Sequence, residues 1–311
     1  MKRILIIGKG NIGTFLGASL NINEHITHFT RKNVVYPKEV ILKFTDRRDK
    51  KYRINKGIKY QYRTINDAQE IANYEYIIIP VAHYHLKSVI NTIKPNLNRN
   101  QVLVIMGNVW DDFAWIESSI INPYVFVFPN FGGSIVNGSL QGWLTPNFTT
   151  GVTNPDFIGQ LIEFESILRA IGFKPQNEKD IIGWLMTHFA YNAGMLLEAA
   201  KQDGFQKMTK TFNGLKKMYA TMRECMNVVS ELNIDVNKFK EGRAVYRAMW
   251  WNVIKTYLMF SLPGLAKSAD ASKNIEDWTS YSGKIWETAK QKNISVPILN
   301  SYHKEKSILN D

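Results

Sequence analysis

Three glycines near the start of the chain are spaced as in a turn that binds a dinucleotide. Gly8, Gly10 and Gly13 give the pattern G-x-G-x-x-G, directly after an apolar run and before a helical pattern. In such a turn the first glycine permits the bend, the second admits the diphosphate, and the third packs closely on the strand. Asn11 and Ile12 would offer backbone N–H groups to an anion at the positive end of the helix. The motif therefore predicts a dinucleotide site.

The residues at the end of the second predicted strand indicate whether NAD or NADP binds. About 20 residues after the glycine turn, an NAD site places an acidic residue on the ribose hydroxyl. Here the strand ends at Thr30 and is followed by Arg31 and Lys32, with no acid in reach. A carboxylate would repel a 2′-phosphate, whereas a guanidinium binds one through two hydrogen bonds. Arg31 and Lys32 therefore predict NADP as the cofactor, unless they are surface residues that only flank a sheet edge.

Polar side chains also follow two later apolar runs, at the ends where ligands bind in parallel sheets. His83 and His85 come after residues 74–82, and Asn108 ends the run 101–108. We expect the two histidines to lie on an extended segment and to point to opposite sides, which makes them a poor metal pair. No metal is therefore predicted, one histidine can face the cofactor, and Asn108 is expected to fix the cofactor.

The elements that position these residues change in character along the chain. Apolar runs first alternate with helical patterns, which is typical of a Rossmann-type doubly wound parallel sheet in an α/β protein. Segments with 3.6-residue apolar spacing then follow at 179–202, 205–232, 236–262 and 272–293. We predict a dinucleotide-binding domain at residues 1–176, followed by an all-helical domain for substrate binding and dimerisation at 177–311.

The composition narrows the class of protein. A chain of 311 residues with 45% hydrophobic content is long enough for two packed domains. The single cysteine, Cys225, excludes an internal disulfide and a cysteine-rich zinc site. The most apolar stretch, 248–262, is too short to span a bilayer and is interpreted as a core helix. With a charged start rather than a signal peptide, the expectation is a cytoplasmic protein with no membrane partner.

The net charge of +12 favours anionic partners. Much of the excess lies in residues 43–63, where basic residues alternate with Phe, Tyr and Ile around a polar turn. We interpret this segment as a solvated hairpin whose lysines protect a sheet edge. A nucleic-acid patch is the alternative, but no nucleic-acid-binding signature accompanies it, so no nucleic-acid partner is predicted.

Several motifs resemble, in order and spacing, the ketopantoate reductase (2-dehydropantoate 2-reductase) family. They are ILIIGKGNIG (4–13), FTR (29–31), VLVIMGN (102–108), GGSIVNG (132–138), GWLMTHFAYNAG (183–194) and DWTSYSGKIWETAKQKNISVP (277–297). The resemblance implies a two-domain NADPH-dependent reductase with its active site in the cleft between the domains. Hydride would pass to a small anionic carbonyl compound, such as a 2-oxo acid and in the family's case 2-dehydropantoate.

The resemblance also implies the catalytic residues. His188 stands where the family has its proton-donating lysine, four residues before Asn192, and the position of a second family lysine is Ala82. On a helix His188 and Asn192 share a face, and histidine titrates near neutral pH, so it can supply the proton that a reduced carbonyl oxygen needs. Asn192 would anchor the substrate. The alternative is a buried histidine that only bonds a neighbour.

A second set of residues is implied near the C-terminus. Asp277 matches the family's acidic position and is expected to act in catalysis, by orienting His188 or by binding ribose and substrate. Ser280 lies on the same helical stripe and is expected to bind substrate. An exposed acid at a helix N-terminus is the alternative for Asp277, and Glu276 competes with it.

Two questions stay open at this point. A non-catalytic NADPH-binding regulatory protein is the alternative to a reductase, and it would bind NADPH yet turn over no carbonyl. The second question is whether the protein forms a homodimer, since the aromatic-rich residues 246–260 suit either a core or a subunit interface.

Overall fold

The chain divides into two compact units. The computed structural model describes residues 1–32, 34–54, 57–261, 265–270 and 273–308. The units are Met1–Ile181 and Ile182–Asp311. The first holds a sheet with helices and the second is helical, so the predicted fold class is confirmed. Residue 262 and residue 272, which bound two predicted helical segments, lie outside the described residues.

Within the described residues, ten strands form one mixed sheet in the first unit. They are β1 (Arg3–Ile7), β2 (His25–Phe29), β3 (Glu39–Asp46), β4 (Ile58–Gln61), β5 (Thr64–Ile65), β6 (Tyr76–Ile79), β7 (Val102–Ile105), β8 (Tyr124–Val136), β9 (Ser139–Gly151) and β10 (Lys174–Asn177). The order is β4-β3-β9-β8-β7-β6-β1-β2-β5, and β10 also pairs with β9. Strands β8, β7, β6, β1, β2 and β5 run parallel, as predicted, whereas the pairs β8–β9 and β3–β4 are antiparallel.

In the described part of the first unit, four α-helices accompany the sheet. They are α1 (Asn11–Leu20), α2 (Leu86–Ile93), α3 (Phe113–Ser119) and α4 (Ile158–Ala170). Ile4 and Ile6 of β1 share a core cluster with residues of α1 and α4. Leu5 and Ile7 point to the opposite face, because strand side chains alternate, and they are buried as well. Burial on both faces explains the uninterrupted apolar runs in these strands.

The predicted hairpin within residues 43–63 is confirmed, although it starts earlier, at Glu39. Strand β3 alternates strictly between exposed and buried residues, and β4 lies at the edge of the sheet. Lys59 on β4 pairs with Glu39 at 2.7 Å, on the solvent side. The connection is anchored by a buried ion pair of 2.8 Å between Arg48 and Asp46. This hairpin lies beside the glycine turn.

The second unit is built from helices that the apolar spacing predicted only in part. They are α5 (Ile181–Lys201), α6 (Phe205–Met208), α7 (Phe212–Glu231), α8 (Lys240–Tyr246), α9 (Met249–Phe260), α10 (Leu265–Asp270), α11 (Ile275–Gln291) and α12 (Pro297–Ile308). The segment 205–232 is divided where Thr211 caps α7 by accepting from Gly214 N at 3.0 Å. The segment 236–262 is divided where Arg247 and Ala248 adopt extended backbone angles. Helices α10 and α12 and strand β10 were not predicted from the sequence.

The helical unit contains a fully buried thiol and a helix with an exposed apolar face. Cys225 on α7 is fully buried, and burial raises the pKa of its thiol. Helix α9 buries Asn252 and Thr256 but leaves Trp250 64% and Leu258 63% exposed. The expectation of a core helix at 248–262 is therefore wrong for the outer face of α9. None of the helices in the described ranges is long and apolar enough to cross a bilayer.

Candidate cofactor and catalytic site

The glycine turn has the geometry that a bound diphosphate requires. Gly8 has a φ of +84°, which favours glycine, and its N–H donates to Phe29 O at 2.9 Å. A Cβ on Gly13 would lie 3.0 Å from the Ile6 side chain, so this position needs glycine for close packing. Gly10 is exposed, and a Cβ there would point into open space. No side chain caps the start of α1, so its first N–H groups are left for an anion.

A buried histidine that the sequence analysis missed supports this turn. His28 is fully buried, and its Nδ1 donates to Gly8 O at 2.8 Å. Its Nε2, 3.0 Å away, accepts from the Tyr60 hydroxyl on β4. Burial lowers the pKa of His28 to about 4; the charge of Lys9 acts in the same direction, and the bond to Gly8 opposes them. A neutral His28 therefore links the edge hairpin to the glycine turn.

The parallel strands bring the other predicted cofactor residues to the same edge of the sheet. Ile7 at the end of β1 is in register with Phe29 at the end of β2, so the exposed Arg31 and Lys32 follow beside the glycine turn. The half-buried Asn108 follows β7 at the same edge. This is the edge at which ligands bind in doubly wound sheets.

The expectation for the two histidines after β6 is wrong in one respect. His83 and His85 lie in a 3₁₀ turn at His83–His85, not on an extended segment. The N–H of His85 donates to Ala82 O at 2.9 Å, which closes this turn ahead of α2. A second 3₁₀ helix, Ala68–Asn73, precedes β6.

The start of α1 is fixed by the hairpin of β8 and β9. The Asn11 side-chain oxygen accepts from Ile135 N at 3.1 Å, and Phe15 stacks on Phe131 at 4.9 Å. Ile12 is half-buried beside them. Asn11 thus has a structural bond to the GGSIVNG hairpin, while its backbone N–H remains at the end of the helix where a phosphate would bind.

In the helical unit, His188 lies between a ring and a carboxylate. It is mostly buried on α5 and stacks on Trp184, with ring centres 4.9 Å apart. Its Nδ1 lies 3.6 Å from Glu241 Oε1 at the start of α8. Burial alone would raise the pKa of Glu241, but hydrogen bonding and attraction to His188 hold it below its ordinary value. Glu241 was not predicted from the sequence, because nothing in its local pattern connects it with His188.

The other predicted catalytic and substrate residues lie on α5 and α11. Asn192, one turn after His188, is half-buried. Asp277 is half-buried in the first turn of α11, where its N–H donates to the Asn274 side chain at 3.2 Å. The Ser280 hydroxyl donates to Asp277 O at 2.6 Å. The two helices are in contact, because the rings of Phe189 and Tyr281 lie 4.8 Å apart.

Comparison with known proteins agrees with the motifs. Residues 4–126 match the family model described as Ketopantoate reductase PanE/ApbA. No curated protein sequence matches the chain. The fold is similar to that of 2-dehydropantoate 2-reductase from Geobacter metallireducens GS-15, at 14% identity and a TM-score of 0.73, over 96% of this chain and 97% of that one.

Two further solved structures have the same fold. One is a dimeric ketopantoate reductase from Staphylococcus aureus, with 12% identity and a TM-score of 0.67 over 96% of this chain and 95% of that one. The other is D-mandelate dehydrogenase with NADH and anilino(oxo)acetate, with 12% identity and a TM-score of 0.72 over 99% of both chains.

These findings agree with the motifs in one segment of the chain and in its fold. The matched segment runs from β1 into β8 and includes the glycine turn, Arg31 and Asn108. The family resemblance that the motifs indicated is confirmed as a similarity: residues 4–126 match the ketopantoate reductase family model, and the described chain has the fold of these reductases.

Proposed function

We propose that this chain is an NADPH-dependent oxidoreductase of the ketopantoate reductase type. It transfers hydride to a small 2-oxo acid or related carbonyl compound, with 2-dehydropantoate as the first candidate. The observation that carries this proposal is the glycine turn. Its exposed Gly10 and uncapped helix start fit a diphosphate, and Arg31 follows the neighbouring strand where NAD sites have an acid.

The cofactor's two halves meet different parts of the sheet edge in this proposal. Backbone N–H groups from Gly10 to Gly13 hold the diphosphate, and Arg31 with Lys32 binds the 2′-phosphate through charge-assisted hydrogen bonds. Asn108, at the end of β7, fixes the other half. When bound, NADPH supplies the hydride.

His188 supplies the proton to the carbonyl oxygen in this proposal. Glu241 faces Nδ1, so it orients the ring and leaves Nε2 as the proton donor. The Trp184 stack restricts rotation of the ring. Asn192 lies on the same helix face and holds the substrate by hydrogen bonds. Asp277 and Ser280 complete the set of polar groups, as ligands of the ribose and of the substrate hydroxyl.

The decisive experiment is NADPH oxidation, followed by absorbance, with a panel of 2-oxo acids that includes 2-dehydropantoate. Turnover of at least one compound, with NADPH preferred over NADH, is expected. Binding of NADPH without turnover of any carbonyl would instead favour a regulatory NADPH-binding protein. Failure to bind either nicotinamide cofactor would overturn the proposal.

We also propose a cytoplasmic homodimer. A dimeric ketopantoate reductase shares the fold, and the outer face of α9 carries the exposed apolar residues Trp250, Ile254 and Leu258 at helical spacing. An exposed apolar stripe on a helix suits a self-complementary interface. Sedimentation of the purified protein is expected to give twice the chain mass, and Leu258→Lys is expected to give a monomer that still binds NADPH. A parent protein that sediments as a monomer would contradict the dimer.

A further inference from the structure

Lys9, between the first two glycines of the turn, carries a positive charge that its surroundings orient but do not neutralise. Its Nζ donates to Pro37 O at 2.9 Å. The ammonium also lies 4.3 Å from the centre of the Tyr62 ring and 5.4 Å from that of Tyr36. Across the described ranges of the chain, Lys9 forms no ion pair with a carboxylate.

The groups around Lys9 fix the side of the turn on which its ammonium lies. Pro37 belongs to the connection from β2 to β3, and Tyr62 directly follows β4. The Tyr62 hydroxyl lies 2.8 Å from Thr14 Oγ1 on α1, so the ring is held against the turn. The ammonium therefore lies on the β2 side. In dinucleotide sites that side receives the adenosine ribose, because the residue that recognises its 2′ position follows the second strand.

The electrostatics of this position call for an anion. Burial lowers the pKa of Lys9, which means that its charged form is held at a cost. An ammonium has three N–H donors, and within the described residues one of them is accepted by a hydrogen-bonding oxygen, that of Pro37. A phosphate group can take the others and also compensates the charge. Ring faces and a carbonyl oxygen attract the cation, but they do not replace a counter-ion.

We propose that Lys9 is a specificity-determining residue that binds the 2′-phosphate of NADPH together with Arg31. The preference for NADPH over NADH then depends partly on a residue of the glycine turn itself. The edge hairpin contributes through Tyr62, which positions the Lys9 side chain. This inference rests on the proposed function, since it concerns the same cofactor site.

The test compares NADP⁺ with NAD⁺, which differ only by the 2′-phosphate, through calorimetric binding to the full chain. Lys9→Met keeps the aliphatic stem over the tyrosine ring and removes the charge. It is expected to weaken NADP⁺ binding roughly tenfold, as for loss of a charge-assisted hydrogen bond, and to leave NAD⁺ binding unchanged. Lys59→Met is the matched control, because this lysine lies on β4 and pairs with Glu39 in solvent; it is expected to change neither.

Three results would overturn the inference. Unchanged NADP⁺ binding in Lys9→Met would show that the ammonium makes no phosphate contact, and the proposed function would stand. Equal weakening of NADP⁺ and NAD⁺ would assign Lys9 to the diphosphate or to the fold of the turn. A parent protein that binds neither cofactor would overturn the proposed function as well. If Lys9→Met lowers the unfolding temperature, the same binding comparison is made with Lys9→Gln, which retains a donor for Pro37.

Discussion

The glycine turn is built from backbone groups, whereas the cluster of side chains around His188, here called the His188 group, is not. The turn presents backbone N–H groups, and its shape is fixed by bonds from neighbouring strands, such as Gly8 N to Phe29 O at 2.9 Å. The His188 group consists of side chains from two helices, with Glu241 of α8 at 3.6 Å from His188 of α5. A backbone site tolerates changes to side chains that do not fill it, whereas a side-chain site depends on each member. Substitutions are therefore expected to separate binding from turnover.

The largest effect is expected at His188. His188→Gln removes the proposed proton donor but keeps a polar group of similar size, so turnover is expected to fall about 10²–10⁴-fold. NADPH affinity is expected to stay the same, because the proposed site for the cofactor's phosphates lies in the first unit. The measurements are kcat on whichever carbonyl compound the panel identifies, and calorimetric binding of NADPH.

Variants of the surrounding residues sharpen this result. Glu241→Gln is expected to lower turnover less than His188→Gln and to shift its pH profile, since the role proposed for Glu241 is only to position the histidine. His188→Lys restores the residue usual in the family and is expected to retain turnover if 2-dehydropantoate is the substrate. Wild-type turnover by a folded His188→Gln would refute the assignment, and loss of turnover in Asp277→Asn alone would transfer it to α11.

The second expected effect is a loss of stability of the first unit in acid. Native His28 stays neutral down to its pKa of about 4, whereas in the unfolded chain a histidine takes up a proton below about 6.5. The unfolded state then binds more protons, so the free energy of unfolding falls as pH drops from 6.5 to 4. The contribution of His28 to this loss is about 3 kcal/mol, and above pH 6.5 it is absent. Urea unfolding at a series of pH values measures it.

A variant isolates this contribution from that of the carboxylates. His28→Gln can still donate to Gly8 O but cannot titrate, so its unfolding free energy is expected to vary less between pH 6.5 and 4. Parallel curves for the two proteins would show that His28 titrates normally in the native state.

The third effect distinguishes two glycines of the same turn. Gly13→Ala places a Cβ 3.0 Å from the Ile6 side chain and 3.2 Å from that of Pro80, and overpacking of this kind costs about 1–3 kcal/mol of stability. A Cβ on Gly10 would contact no atom within 4 Å, so Gly10→Ala is expected to leave stability unchanged. NADPH affinity is expected to fall, because the methyl group would lie at the proposed diphosphate site. Thermal unfolding with and without NADPH tests both. Normal NADPH binding by Gly10→Ala would contradict the placement of the cofactor.

The smallest effect is expected at Arg31. Its side chain is exposed, so the lower end of the range for charge-assisted bonds applies, and Arg31→Ala is expected to weaken NADPH binding roughly tenfold. NADH binding is expected to be unaffected. The ratio of the two dissociation constants is the measurement, and an unchanged ratio would assign the preference to other residues.

The sequence predicted the features that depend on local spacing. The glycine turn, the parallel core of the sheet and the edge hairpin follow from residues that are close together along the chain. His28, Glu241 and the contacts of Lys9 were missed because their partners come from other strands and helices, such as Tyr60 on β4 for His28. The outer face of α9 was misjudged for a related reason: apolar spacing identifies a helix, but it does not say which face another element covers.

Cys225 gives this protein a built-in probe of its own opening. It is the only cysteine in the chain, fully buried on α7, and burial raises the pKa of its thiol. A thiol reagent can therefore modify only those molecules in which this part of the helical unit has opened. The labelling rate then reports the opening equilibrium under native conditions, with one label per molecule and no engineered residue. Any ligand that stabilises the helical unit slows that labelling in proportion to its occupancy, so binding can be measured without an assay for turnover.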